Sequence, residues 1–165
     1  MPNFETLYRL HYGFILKYLL KLTKNQDLAD ELTQETFFKA YMNLNSLKQA
    51  DKVAVWLCQI AKNTYFSWCK KQKRFLSSEV IDVSSLSTNE NIESDYIEKE
   101  KLAKAMEQIQ ILSEPYREVF LLRAVGGISM KAISETFGKS ESWARVTYYR
   151  AKQKLLEGMG EYNEM

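Results

Sequence analysis

Residues 126–140 have the sequence GGISMKAISETFGKS, which predicts the end of one helix, a turn and a short second helix. The two leading glycines stop the first helix, and Ser129 is a residue type that caps a new one. The inward-facing positions of the short helix are Ala132, Ile133 and Phe137. Gly138 then ends that helix, and Ser140 opens another.

The helix that Ser140 opens has one apolar and one polar face. Its apolar positions follow a helical period at Ala144, Tyr148, Ala151 and Leu155. The face left free carries Arg145, Thr147, Tyr149, Arg150 and Lys152. Two helices joined in this way form a helix-turn-helix, which places the first turns of its second helix in the major groove of DNA. The same pattern also occurs in plain helical bundles, so the rest of the chain has to decide.

Charge is distributed in blocks along the 165 residues, although the net charge is only +2. Residues 52–76 contain six basic residues and no acidic one, and residues 77–100 contain seven acidic residues and one lysine. Residues 101–157 again contain more basic than acidic side chains. Two positive blocks around a negative connector suggest two contacts with nucleic acid, separated by a segment that avoids it.

The residue types that catalysis and metal binding need are scarce. Two cysteines and a single histidine provide neither a disulfide framework nor a metal-ligand set nor a catalytic triad. Carboxylates four residues apart, at Asp27, Glu31 and Glu35, lack the partner histidines of a metal site. We therefore expect no enzymatic activity, no metal and no cofactor.

No apolar run approaches membrane-spanning length, and the N-terminus lacks the basic and compact apolar segments of a secretory leader. We therefore expect a cytoplasmic protein with no membrane insertion of its own.

The second predicted helix, over residues 27–41, has an acidic outer face. The positions spaced to face a core are Leu28, Leu32, Phe37, Ala40 and Leu44. The outer face carries Asp27, Asp30, Glu31, Gln34, Glu35 and Phe38. A bare phenylalanine among acids suits a protein partner with a basic or mixed surface. A merely solvated acidic face is the alternative.

A helix that begins near Val53 combines aromatic and basic side chains. Its aromatic residues include Trp56, Tyr65, Phe66 and Trp68, and its basic run is Lys70-Lys71-Gln72-Lys73-Arg74. Cations along the phosphates and rings stacked on bases hold single-stranded DNA, and stacking contributes roughly 1–3 kcal/mol per base. Core packing is the alternative for the rings. We expect it for Trp56 and Phe66, with Asn63 and Trp68 more exposed.

The acidic connector divides the chain into two predicted helical domains. Residues 77–96 are rich in serine, asparagine and acidic residues without a sustained period, which predicts a flexible linker. We expect domains over residues 1–76 and 97–165, the second a four-helix unit ending in the helix-turn-helix. The expected fold class is all-α.

Five short motifs follow one another along the chain. In the first domain they are ADELTQETF at residues 29–37 and WLCQIAKN at residues 56–63. In the second they are LSEPYR at residues 112–117, GIS at residues 127–129 and YRAK at residues 149–152. Together they resemble the extracytoplasmic function (ECF) group of bacterial RNA polymerase sigma factors over nearly the whole chain. Several motifs in the right order are far more specific than any one alone.

The resemblance implies a non-catalytic specificity subunit that binds core RNA polymerase and directs initiation at promoters of stress or envelope-response genes. The residues that it implies for docking on the polymerase clamp are Asp30, Glu31, Gln34, Glu35 and Phe38. Those that it implies for the opened minus-10 element are Lys62, Asn63, Trp68, Lys70, Lys71 and Arg74. Those that it implies for the minus-35 duplex are Ser140, Ser142, Trp143, Arg145, Tyr149 and Arg150. The group also implies control by a separate anti-sigma protein.

Three positions depart from the family pattern. Ser67 stands where Asp is frequent and Ala132 where Glu is common, so contacts tied to those residue types are not carried over. Trp143 replaces a small residue at the start of the recognition helix. Its ring either packs on a thymine methyl or sugar, which we favour, or fills a gap inside the domain.

The runner-up function is a DNA-binding regulator that recognises duplex without polymerase. It accounts for residues 129–152, but it does not explain the acidic face of the second helix or the aromatic-basic helix.

Overall fold

The computed structural model describes residues 3–47, 52–78 and 104–163, and every regular element in these ranges is helical. The first half contains α1 (Phe4–Thr23), α2 (Gln26–Met42), a 3-10 turn (Leu44–Ser46) and α3 (Val53–Ser78). The second half contains α4 (104–111), α5 (Tyr116–Phe120) with a π-helical continuation (Leu121–Val125), α6 (Met130–Phe137) and α7 (Glu141–Asn163). The all-α expectation is confirmed.

The predicted linker over residues 77–96 lies mostly outside the described residues, as do residues 97–103 of the predicted second domain. α3 continues to Ser78 and therefore includes the first two residues of that linker. No glycine or proline interrupts the helix before that point.

α1 and α2 form a helical hairpin because the residue that ends α1 is followed directly by the residue that caps α2. Lys24 ends α1 in the left-handed conformation, with φ of 53°, and its N–H donates to the Leu20 carbonyl. The Asn25 side chain then accepts a hydrogen bond from the Leu28 N–H at 3.0 Å and so caps α2. With so short a connection, the apolar faces of the two helices meet each other and α3.

The first half buries the apolar positions of all three long helices in one core. The fully buried side chains include Leu7, Ile15, Leu19, Leu32, Phe37, Leu57 and Ala61. Tyr12 and Phe37 stack with ring centroids 5.8 Å apart, which fixes α1 against α2. Trp56 and Phe66, which we expected in the core, are half-buried and pack against it.

The helix-turn-helix has the boundaries that its glycines and serines predict. Gly127 takes a φ of 64° after the π-helical turn, and Gly138 takes a φ of 65° after α6. The Ser129 Oγ accepts from the Ala132 N–H, and the Ser140 Oγ accepts from the Trp143 N–H, both at 3.1 Å. These caps fix the residues at which α6 and α7 begin.

Ser129→Ala should lower the free energy of unfolding by about 1 kcal/mol, because it removes the cap of α6 and leaves a backbone N–H without its partner. Urea unfolding followed by circular dichroism measures the change. Ser142→Ala is the matched control: Ser142 is exposed on α7, and we expect its replacement to change stability by less than about 0.5 kcal/mol. Equal stability of the two variants would contradict the capping role.

The two halves also contact each other: α1 contacts the π-helical turn, and α3 contacts the α5 region. Buried apolar side chains from both halves belong to one continuous cluster. Gly126 lies against α3: a Cβ placed there would be 3.4 Å from Cys58 Sγ and only 2.8 Å from the Leu122 carbonyl oxygen. A residue without a side chain therefore lets the backbone approach α3 closely.

Candidate protein-docking and nucleic-acid interfaces

The outer face of α2 is acidic and carries an exposed aromatic ring. Its exposed members are Asp27, Glu31, Gln34, Glu35 and Phe38. They share a face because residues three, four and seven apart lie on one side of a helix. Phe38 is 65% exposed, whereas Asp30 is half-buried and its carboxylate accepts from the Gln26 side chain at 3.1 Å. Sequence and structure agree on this surface, with Asp30 at its edge.

Two further apolar side chains enlarge this surface, and sequence reasoning missed them. Tyr41 and Met42 are both exposed, and they lie three and four residues beyond Phe38. The Phe4 ring packs edge-on against Tyr41 with centroids 5.2 Å apart, which holds the tyrosine in place. We call Phe38, Tyr41 and Met42 the Phe38 patch. The signal that could have revealed it is the i, i+3, i+4 spacing of large apolar residues outside the predicted core.

α3 presents a polar stripe that continues into the basic run. Asn63, Ser67 and Lys70 are exposed at intervals of four and three residues, and Lys71 is exposed beside them. Trp68 is half-buried and stacks on Tyr65, with ring centroids 6.4 Å apart and planes 17° apart. The Arg74 side chain lies outside the described part of the chain. The stripe combines hydrogen-bonding groups, positive charge and one partly exposed ring.

Lys62, which we predicted as a DNA contact, is not on this stripe. Its side chain is buried and forms an ion pair with Glu118 of α5. Adjacent residues in a helix point about 100° apart. Asn63 therefore faces outward, while Lys62 faces the second half of the chain. In this conformation Lys62 is unavailable to a DNA phosphate.

The exposed face of α7 carries most of the residues predicted to contact duplex DNA. Those exposed are Ser140, Ser142, Arg145, Tyr149 and Arg150. Tyr149 is 63% exposed. The Arg145 guanidinium bonds to the Glu141 carboxylate at 2.9 Å, one turn earlier in the same helix. A guanidinium and a phenol therefore project from one solvent-facing side of the recognition helix.

Two α7 side chains lie elsewhere than sequence reasoning placed them. The Trp143 ring is half-buried and packs against Phe137 of α6, with centroids 5.3 Å apart, so it fills the gap between the two helices. Thr147, expected on the free face, is buried, and the expectation was wrong. It lies three residues after Ala144 and four before Ala151, both fully buried, and therefore shares their packed face.

Val146 is an exposed apolar residue on the recognition helix that sequence reasoning missed. It is 46% exposed and stands between Arg145 and Tyr149 in the solvent-facing region. A branched aliphatic side chain forms no hydrogen bonds with water, but it can pack on the methyl group of thymine in the major groove. Its signal in the sequence was its position beside Arg145, outside the apolar period of α7.

The described ranges hold no group of three or more His, Cys, Asp or Glu side chains that could bind a metal. The titratable groups with the largest shifts are core groups: burial, aided by the negative charge of Glu118, raises the pKa of the Cys58 thiol to about 12. In the same ranges, no helix is both long enough and apolar enough to cross a lipid bilayer.

Comparison with known families matches both halves of the chain. The family model for sigma-70 region 2 matches residues 7–75, and that for sigma-70 region 4 matches residues 102–155. The chain is 31% identical over 160 residues to RNA polymerase sigma factor SigZ of Bacillus subtilis (strain 168), a match covering 94% of this chain and 88% of SigZ. It is 28% identical to sigma factor YlaC of the same organism, covering 98% of this chain and 95% of YlaC.

Two solved structures share the fold at low sequence identity. One is sigma factor RpoE in complex with the anti-sigma factor NepR from Bartonella quintana, at 19% identity and a TM-score of 0.54, covering 95% of this chain and 96% of that one. The other is CnrH in complex with the cytosolic domain of CnrY, at 18% identity and a TM-score of 0.52, covering 96% and 88%.

Proposed function

The chain belongs to the ECF group of RNA polymerase sigma factors, and from that premise we propose which of its surfaces performs each step of promoter recognition. The protein binds core polymerase and directs initiation at specific promoters. Polymerase performs the chemistry, and this chain contributes none.

The acidic face of α2 and the Phe38 patch bind the polymerase clamp. A 65% exposed phenylalanine beside two other exposed apolar side chains supplies the apolar centre that protein interfaces need. The exposed carboxylates of Glu31 and Glu35 surround that centre and give it electrostatic selectivity for a basic partner.

The exposed stripe of α3 holds the opened minus-10 strand. Lys70 and Lys71 follow the phosphates, Asn63 hydrogen-bonds a base or phosphate, and Trp68 offers a ring for stacking. Arg74 follows Lys70 and Lys71 in the same basic run of the sequence. Lys62 joins this set only when it is released from Glu118.

The observation that carries the proposal is the solvent-facing side of α7, in a chain matched to sigma regions in both halves. Arg145, Val146 and Tyr149 project from the first turns of a helix whose opposite face is locked into the domain by Ala144 and Ala151. A helix-turn-helix offers this side to the major groove. We assign it to the minus-35 duplex, together with Ser140, Ser142 and Arg150. Trp143 supports it from behind through Phe137.

The protein acts in the cytoplasm on genes of a stress or envelope response. An anti-sigma protein controls its access to polymerase. The support for such a partner is the fold shared with RpoE, which was solved in complex with the anti-sigma factor NepR, and with CnrH, which was solved in complex with the cytosolic domain of CnrY.

Run-off transcription of fragmented source-genome DNA by purified core polymerase, with and without this protein, tests the function. New discrete transcripts that depend on the protein are expected, and their start sites define the promoter elements. If the core is active with another sigma factor, this protein is folded and no transcript appears, the stand-alone regulator gains support. Tight duplex binding in the absence of polymerase would favour that regulator further.

Val146→Ala should weaken promoter binding by the holoenzyme by about 1 kcal/mol, roughly fivefold, because it removes two methyl groups from the contact with a thymine methyl. Replacing each thymine of the minus-35 element by deoxyuracil deletes only the DNA methyl group. We expect one such position to weaken wild-type binding by a similar factor and to leave Val146→Ala unaffected. If every thymine-to-uracil change weakens both proteins equally, Val146 does not read that methyl.

A further inference from the structure

Two consecutive residues of α5 bind α3 across the junction between the two halves. Glu118 forms a buried ion pair with Lys62, and each side chain keeps only 9% of its surface exposed. The Arg117 guanidinium lies 5.5 Å from the centre of the Phe66 ring, one helical turn beyond Lys62. Charge and cation–π contacts from one turn of α5 therefore meet two successive turns of α3.

The contacts also extend one turn in the other direction, towards the N-terminal end of α3. Cys58, four residues before Lys62, is fully buried near Gly126. The Lys21 Nζ of α1 donates to the Val125 carbonyl at 3.4 Å, beside that glycine. Cys58, Lys62 and Phe66 thus form a continuous strip covered by the segment from Arg117 to Gly126. We call these contacts the α3–α5 junction.

A buried ion pair of this kind adds little net stability to the closed arrangement. Both charges lose water when the halves close, and the pair offsets that loss only with its partner in place. On opening, Lys62 and Glu118 both regain water, so the contact is specific in geometry but can be released. Removing one charge alone leaves the other unpaired in a buried site, which strongly disfavours the closed arrangement.

We propose that Glu118 latches the free protein in a closed state in which the second half covers Lys62, and that Lys62 reaches single-stranded DNA only after the halves separate. The closed state hides one cation of the minus-10 surface while Asn63 and Lys70 stay exposed. The second part of this proposal rests on the minus-10 role proposed for α3. The first part, the latch itself, does not.

Small-angle X-ray scattering of full-length variants tests the latch. Glu118→Lys places two like charges together, so the halves should separate. If the distance between the centres of two domains of about 80 residues increases by roughly 10 Å, the radius of gyration should rise by roughly 4 Å. Lys62→Glu combined with Glu118→Lys restores opposite charges and should return the wild-type value. Glu107→Lys, the same charge change at an exposed site of α4, should leave the size unchanged.

Fluorescence anisotropy with a labelled single-stranded 12-mer of mixed sequence tests the consequence for DNA. Glu118→Lys should bind about tenfold more tightly than Glu107→Lys, because opening adds one charged phosphate contact beyond the shared change in net charge. Lys62→Ala combined with Glu118→Lys should open equally and lose that gain. An expanded Glu118→Lys without the gain would overturn the role of Lys62 and leave the latch supported.

An unchanged radius of gyration in helical, folded Glu118→Lys would overturn the latch, whatever the DNA result. Should that variant lose its helical content, Glu118→Gln replaces it, since glutamine keeps the shape and removes the charge. A folded Glu118→Gln with wild-type size and wild-type affinity for the 12-mer would overturn the proposal in the same way.

Discussion

The full-length variant that carries both Phe38→Ala and Glu35→Lys is expected to lose its binding to core RNA polymerase. The first change removes the most protruding ring of the Phe38 patch, and the second reverses a charge at its edge. Truncating an apolar anchor at the centre of an interface typically costs 2 kcal/mol or more. With the charge reversal, we expect the affinity to fall by about a hundredfold or more, on the order of 3 kcal/mol. Gel filtration of the variant with core polymerase should show no shared peak.

The fold should survive this double change, so that the loss reports on docking. Phe38 projects into solvent, and the pair between Glu35 and Lys39 is an exposed contact one helical turn long, at 3.3 Å. Leu10→Ala with Glu5→Lys is the matched control on α1. Leu10 is 69% exposed, and Glu5 pairs with Arg9 at the same spacing and distance. The control should elute together with polymerase. If the Phe38 variant does so too, α2 is not part of the docking surface.

Arg145→Ala is expected to weaken promoter binding by the holoenzyme by roughly 1–3 kcal/mol, about fivefold to 150-fold, if the guanidinium pairs with a guanine. Arg145 lies in the second turn of the recognition helix with its side chain in solvent, where a bidentate contact to a base edge is possible. The measurement is a gel-shift titration of the holoenzyme against promoters with each minus-35 base pair replaced. The variant should lose discrimination at one position and keep it at the others.

Lys152→Ala separates base recognition from charge. Lys152 is exposed further along α7. Its loss should weaken binding to all promoters by a similar factor and lower the salt dependence, as expected for a phosphate contact. If Arg145→Ala behaves in the same uniform way, Arg145 contacts phosphate rather than a base.

The local parts of the fold could be predicted from the sequence because single residues determine them. Ser129, Gly138 and Ser140 set the helix boundaries, and the apolar period of α7 gave its packed positions at Ala144 and Ala151. The acidic face of α2 could be predicted equally well, because four residues at helical spacing define a face without knowledge of the partner helices.

The features that the sequence could not reveal depend on contacts between distant segments. Lys62 belongs to a basic helix, and only the approach of Glu118, 56 residues later, makes its position a buried one. The two roles considered for Trp143 have the same local sequence, and Phe137 in the neighbouring helix determines which one the ring adopts. Thr147 was misplaced because a polar residue was assumed to face water, whereas its spacing from two buried alanines places it inside.

If Arg145 reads the minus-35 element as proposed, its contact with Glu141 bears on how quickly a promoter is found. A carboxylate one turn before the recognition arginine satisfies the guanidinium in the absence of a cognate base, and it repels any phosphate that approaches the same place. Attraction to phosphates is what holds a protein on random sequence and slows its movement along the genome. On the minus-35 role proposed for Arg145, Glu141 would therefore shorten each visit to wrong sequence, and a guanine that competes for the guanidinium would prolong the stay. The acid would trade binding strength for a faster search.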